Sequence, residues 1–358
     1  NYGDFDGIPE CKKIFCDMLG VAPEELFVCG NSSLSVMYDA IGKMMLLGVR
    51  PGAKPWRYLD KVKFLCPAPG YDRHFAITEL YGIEMIPIEM TPDGPDMDTV
   101  ERLVGSDPSI KGIWCVPKYS NPQGITYSDE TVRRFARMKT AADDFMIMWD
   151  NAYAVHDLYP DRRDTLLNIL DECKKAGDPD RVMIFASTSK ISYAGAGIAV
   201  FACSEAVMKR MKELLSFQTI GFDKLNMLRH ARYFGDLDGV MRHMDKQAEL
   251  LRPKFAAVLD AFDRELAGKG IAEWLAPNGG YFISLDVMDG CAGRVVRLCK
   301  EAGVVLTGAG ATYPYKKDPR DRNIRVAPTY PTVPELEQAV ELLCISVQLA
   351  AVEKLLAA

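Results

Sequence analysis

The chain has 358 residues, 48% of them hydrophobic and 26% charged, and a formal net charge of −6. That length and apolar content suit a globular protein with one large core and a second domain. The acidic balance and the lack of any basic stretch argue against nucleic acid or anionic membrane as main partners. No apolar run approaches the ~18–20 residues of a membrane span.

The chain opens on Asn1-Tyr2-Gly3, with no methionine and no signal peptide, and an upstream segment is expected before it. The stretch "CGNSSLSVMYDAIGKMMLLG" follows. Gly30-Asn31-Ser32-Ser33 precede apolar residues at 34, 37, 41, 44 and 45, which is a helical period. Small hydroxyl residues at a helix N-terminus offer free N–H groups and the positive end of the dipole to an anion such as a phosphate.

Six short apolar runs come next: Val62–Cys66, Glu84–Ile88, Gly112–Val116, Phe145–Trp149, Val182–Ala186 and Ile198–Cys203. Each has strand length and is apolar at nearly every position, which suits strands covered on both faces of a mostly parallel α/β sheet. Between them lie amphipathic stretches such as Asp129–Ala142, with Ser128 as N-cap and two acidic residues in the first turn. A long helical pattern runs from Val240 to Leu266 with Pro253 inside it. A proline there should kink the helix, and places a hinge between domains of residues 1–245 and 246–358. Beyond it, "NGGYFISLDV", "GVVLTGAG" and "NIRVAPT" read as strands, and Pro334 to Leu356 as a helix. The ten cysteines are scattered, several in apolar runs (Cys66, Cys115, Cys203, Cys344), with no C-x-x-C pair. That pattern fits free thiols in a reducing, cytoplasmic setting.

Several of the apolar runs end on chemistry. "FMIMWD" ends on Asp150, with Tyr153 one turn later, and "VMIFASTSK" reaches Lys190. "GIWCVPKYSNPQG" reaches Asn121, and "VKFLCPAPGYDRH" reaches Tyr71 and His74. Open α/β sheets bind ligands outside the carboxyl ends of their strands, so these groups should converge on one crevice. Pyridoxal phosphate asks for such a set. Its aldehyde needs a lysine amine, its ring nitrogen a carboxylate, its phenolic oxygen hydrogen-bond donors and its ring a flat partner. Ser187 and Ser189 could add hydroxyls to the phosphate cradle.

With these residues in view, the chain resembles the fold-type I, class I aminotransferases. It is most similar to the aspartate aminotransferase subgroup related to the aminotransferase domain of PLP-dependent (MocR-type) regulators. The opening "NYGDFDGIPE", then "PGYDRH", "SNPQG", "DNAYAVHDL", "STSK" and "NIRVAPTYP" follow the family's order along nearly the whole chain. The resemblance implies a large domain with a seven-stranded-type, mostly parallel sheet covered by helices, and a smaller α+β C-terminal domain. It implies transamination of amino acids and 2-oxo acids, with L-aspartate and 2-oxoglutarate the leading pair. Alanine, an aromatic or a 2-aminoadipate-like donor is the alternative, as is an effector domain of a PLP-sensing regulator. Lys190 would bond the cofactor and then move the substrate proton. Asp150 would keep the pyridine nitrogen protonated, and Tyr153 and Asn121 would bond the phenolic oxygen. Tyr71 would stack on the ring, and His74 would stand behind the ring nitrogen. Arg325, with Asn121, would take the substrate α-carboxylate. Asn31, Ser32, Ser33, Ser187 and Ser189 would line the phosphate site, and Tyr2 would reach the phosphate of a second subunit in a homodimer.

The sequence departs from the family in two places. In "KISYAGAGIAV" Gly197 stands about where the family has a phosphate-binding arginine, and no clear match exists for the arginine that binds a distal carboxylate. Gln218, Lys224, Arg73 and Lys118 are the candidates for that second role. Two rival readings fall away. Ser187-Thr188-Ser189-Lys190 fits the S-x-x-K of serine β-lactamases, but neither S-D-N nor K-T-G follows. The G-x-G fragments at Gly195 and Gly308 lack the third glycine of a dinucleotide-binding loop.

Overall fold

The computed structural model describes residues 2–357. Eight strands form the main sheet: β1 (Leu26–Val28), β2 (Lys63–Ala68), β3 (Glu84–Thr91), β4 (Gly94–Pro95), β5 (Ile110–Cys115), β6 (Met146–Asp150), β7 (Val182–Ser187) and β8 (Ala199–Cys203). Their spatial order is β1-β8-β7-β6-β5-β2-β3-β4. The five strands β7, β6, β5, β2 and β3 are mutually parallel, and β8 runs antiparallel to β7. The six apolar runs are strands β2, β3, β5, β6, β7 and β8. The seven-stranded expectation falls one short, because Gly94–Pro95 folds back on the end of β3 as a two-residue antiparallel edge.

The apolar runs are continuous because both faces of the sheet are covered. In β6, Ile147 and Trp149 enter one core with Phe135, Val132 and Leu170 from covering helices. Met146 and Met148 enter the opposite core with Met37, Phe75 and Met211. Each large side chain so enclosed contributes about 1.5–3 kcal/mol of transfer free energy. An alternating strand would have placed polar groups under one helical layer, where they would lack partners.

A second, antiparallel sheet holds β9 (Ala272–Trp274), β10 (Ile283–Val287) and β11 (Asn323–Val326), with β10 central. It shares a core with the Leu237–Glu265, Ala292–Glu301 and Val333–Ala357 helices. The long Leu237–Glu265 helix continues through Pro253. Val240 and Met244, before the proline, pack on Ile14, Val155 and Ile191. Phe255, Val258 and Phe262, after it, pack on the second sheet.

Two elements differ from expectation. "GVVLTGAG" is not a strand: it pairs with neither edge of the small sheet, and Val305 is 81% exposed. The helix expected to reach Ala142 ends at Arg137, although Ser128 caps it through Thr131 N as expected. Arg181 Nη1 donates to the carbonyls of Phe135, Ala136 and Met138 at this end, satisfying acceptors that further helix would have used. All ten cysteines are free and buried. No helix among the described residues is long and apolar enough to cross a membrane.

Candidate active site

Strand direction gathers the candidate residues. β1, β2, β5, β6 and β7 all run the same way, so Gly30-Asn31-Ser32, Tyr71, Asn121, Asp150 and Ser187–Lys190 leave the sheet along one edge. The strand order reverses about β2: the chain moves outward to β3 and β4, then returns to β5 on the other side. Such a reversal opens a crevice at the strand ends.

Asp150 is buried at the end of β6. Its Oδ2 accepts from His74 Nε2 at 3.0 Å, and its Oδ1 has no hydrogen-bond partner among the described residues. The His74 ring stacks on Trp114, with centroids 4.3 Å apart. Thr78 Oγ1 accepts from the Trp114 indole and donates to the His74 carbonyl, so the imidazole is held in place from behind. Tyr71 meets the His74 ring edge-on, and burial, with the Asp150 charge second, pushes its hydroxyl up to about 12. A buried carboxylate oxygen without a partner is costly, and suits a cationic N–H that a ligand brings.

Lys190 sits just past β7, its Nζ 5.0 Å from the centre of the Tyr153 ring. Burial pushes its amine below the ordinary lysine value, while the Asp150 charge pulls the other way. A lysine with a lowered pKa supplies the neutral amine that carbonyl chemistry requires. Its backbone is pinned: Tyr281 Oη donates to the Lys190 carbonyl at 2.8 Å, and His243 Nε2 and Gln247 Nε2 reach the Ile191 carbonyl. Tyr281 belongs to the Asn278-Gly279-Gly280 turn, and a Cβ at Gly279 would lie 2.3 Å from the Tyr119 ring. Only glycine lets that turn come so close.

The helix start expected after Gly30–Ser33 is present. Ser32 is the N-cap of the Ser33–Leu46 helix, and its side chain does not cap the first turn, which leaves those N–H groups for an anion. Ser189 Oγ donates to the Asn31 carbonyl, Ser187 Oγ to Ser189 Oγ, and Asn31 Nδ2 to the Gly195 carbonyl. Gly197 is packed against the same loop: a Cβ there would lie 2.9 Å from Thr188 Oγ1. Any side chain at this position would have to displace Thr188, and the polar groups next to it are the Thr188 hydroxyl and the Ser189 amide.

Arg325 leaves β11 and crosses to the large sheet's side of the crevice. Its Nη1 donates to Asp72 Oδ1 at 2.9 Å and to Asn121 Oδ1 at 3.3 Å, and its Nη2 faces Thr307 Oγ1 at 3.5 Å. Its Nε is buried without a partner, and its guanidinium lies over the Phe282 ring. Tyr2 is 73% exposed and away from this cluster's hydrogen bonds. Of the candidates for a distal carboxylate, Gln218 accepts from Lys43 and Lys224 donates to the Phe222 carbonyl. Lys118 is buried on Asp157. Arg73 is exposed, with no ion pair among the described residues.

Sequence reasoning missed His156 and Asp72. His156 is buried between Tyr153 and Tyr281, with ring centroids 5.4 and 5.5 Å away, and neither ring nitrogen has a hydrogen-bond partner among the described residues. Nothing in "AVHDL" signals this. Burial first, then the Lys190 charge, pushes its pKa down to about 3. The unfolded chain therefore takes up a proton below about pH 6.5 that the folded chain refuses. The His156 contribution to stability is whole above that pH and lost progressively as pH falls toward 3. His156→Phe is expected to flatten the pH dependence of the urea midpoint between pH 6 and 4; slopes equal to the parent's would refute this.

The residues present fit pyridoxal phosphate. An unpartnered carboxylate oxygen suits the ring nitrogen, an uncapped helix N-terminus the phosphate, and a half-buried amine of lowered pKa the aldehyde. No metal-binding cluster occurs among the described residues.

The fold is that of the class I, PLP-dependent aminotransferases. The chain belongs to the aspartate amino-transferase family, whose model matches residues 1–358. An aspartate aminotransferase of Corynebacterium glutamicum is 48% identical over 353 residues, which are 99% of this chain and 81% of that protein. A crystal structure of an aspartate transaminase from the same organism superposes with a TM-score of 0.96 at 47% identity, over 99% of this chain and 83% of that one. An α-aminoadipate aminotransferase of Thermus thermophilus, at 19% identity and a TM-score of 0.79 over 98% of this chain and 84% of that one, shares the fold.

Proposed function

We propose that the protein is an aminotransferase that exchanges an amine between L-aspartate and 2-oxoglutarate by a ping-pong route. The observation that carries this reading is the pairing of a half-buried lysine amine of lowered pKa with a buried, half-satisfied aspartate at neighbouring strand ends, in a chain of this family. Pyridoxal phosphate, when bound, supplies an aldehyde for the amine and a ring that accepts electrons.

The residues then divide the work. Once the substrate amine displaces it from the aldehyde, Lys190 would take the proton from the substrate Cα and deliver it to the former aldehyde carbon. Asp150, backed by His74, keeps a ring nitrogen protonated through its open Oδ1. Tyr153 and Asn121 bond the phenolic oxygen, and Tyr71 covers one face of the ring. Ser32, Ser33, Asn31, Ser187 and Ser189 hold the phosphate. Arg325 takes the α-carboxylate, a bidentate task to which the planar guanidinium is suited.

Residues 1–245 form the cofactor-binding domain in this reading and 246–358 the smaller domain. A homodimer with a shared site is part of it: Tyr2 is exposed and free to reach a neighbour, and the large side chains of Phe217, Ile220 and Leu225 lie exposed. Free buried thiols support a cytoplasmic setting.

The test is the visible absorbance of the cofactor-loaded protein. L-Aspartate in excess is expected to bleach the band, and 2-oxoglutarate to restore it. A band that ignores aspartate but responds to L-alanine or L-2-aminoadipate would reassign the donor.

A further inference from the structure

The Arg325 guanidinium already holds a carboxylate of its own chain. Nη1 carries two hydrogens, and two acceptors take them: Asp72 Oδ1 at 2.9 Å and Asn121 Oδ1 at 3.3 Å. A carboxylate that binds the Nη1–Nη2 end in two parallel bonds must displace one of them. Asn121 is buried. Asp72 is the exposed partner, with 32% of its side chain accessible against 11% for Arg325. It is also the first residue of the Asp72–Leu80 helix, whose N-terminus stabilises its charge when it lets go of the arginine. Among the described residues Nη2 meets only Thr307 Oγ1, at 3.5 Å, and can complete the second bond.

We infer that Asp72 is an internal competitor for the substrate-carboxylate site, and that the α-carboxylate enters by taking its place on Arg325. The inference rests on the proposed role of Arg325. With Asp72 in place the clamp is a neutral pair, which weakly attracts simple anions. A ligand that offers two oxygens to the guanidinium and further contacts elsewhere outbids it. Asp72 thereby raises the KM for every carboxylate substrate and sets a threshold that small anions do not reach.

The experiment measures succinate binding by calorimetry to the cofactor-loaded protein. Succinate is a dicarboxylate with no amine to transfer. Asp72→Asn keeps the size and the acceptor oxygen and removes the charge. It is expected to bind succinate about five- to tenfold more tightly than the parent, and to be inhibited by chloride at lower concentration. Asp72→Ser should shift affinity the same way, and thermal unfolding checks that both variants are folded. A structural lesion would not tighten binding. Unchanged or weaker succinate binding in folded Asp72→Asn and Asp72→Ser overturns the inference. Arg325→Ala separates the two layers. If it loses succinate binding while the Asp72 variants fail to tighten, only the competitor falls. If it binds succinate as the parent does, Arg325 is not the clamp and both fall.

Discussion

Lys190→Ala is expected to lower transamination by about 10⁴-fold or more, with loss of the visible band on adding pyridoxal phosphate. Two independent functions leave with one side chain: the amine that bonds the cofactor and the base that moves the substrate proton. Neither Lys118 nor Lys224 is placed to replace it. Lys118 is committed to Asp157 and to the Ala154 carbonyl, and Lys224 to the Phe222 carbonyl. The variant should fold, because the segment is held by backbone contacts from Tyr281, His243 and Gln247 rather than by the amine. Stopped assays of the aspartate-to-oxoglutarate exchange and an absorbance scan are the measurements. Activity within tenfold of the parent would remove Lys190 from the chemistry.

Asp150→Asn is expected to cost about 10²–10³ in rate with little change in shape. The amide can still accept from His74, but it carries no charge to hold a ring nitrogen protonated. The effect is large because the carboxylate is buried, where a charge acts at short range with little solvent screening. His74→Phe separates charge from support: it retains Asp150 but removes the 3.0 Å bond that orients it, and a smaller loss is expected. Single-turnover bleaching of the band by aspartate reads both variants. A loss below threefold for Asp150→Asn would show that the carboxylate does not face the reacting ring.

Much of the fold was legible because burial on both faces demands unbroken apolar strands. Six such runs stand in the sequence, and each is a strand. Candidate polar residues beyond four of the runs could be read off as well, because ligands in such a sheet bind where strands stop. The run at Ile198–Cys203 shows the limit. It has the same composition as its neighbours yet runs antiparallel to β7, since composition reports burial and not direction. "GVVLTGAG" shows another: it has strand-like residues, but a strand exists only where an edge is offered to it, and the small sheet pairs β10 with β9 and β11 instead.

The site divides in the same way. Lys190, Asp150, Asn121, Tyr71 and Arg325 could be singled out one by one, since each lies beside a strand end or in a family motif. The partnership of Asp72 with Arg325 joins residues 253 positions apart, and no local pattern announces it. His156 becomes notable only when Tyr153 and Tyr281 close around it and leave both nitrogens without partners. Gly197 was visible as a missing arginine, but the reason is a contact with Thr188 that only the folded loop creates. By itself the sequence determined most of the element types and the family, because those follow from periodicity and residue chemistry. The tertiary structure decided strand direction, the pairing of distant charges and the space left for each side chain, because these depend on distances between segments that the chain order does not contain.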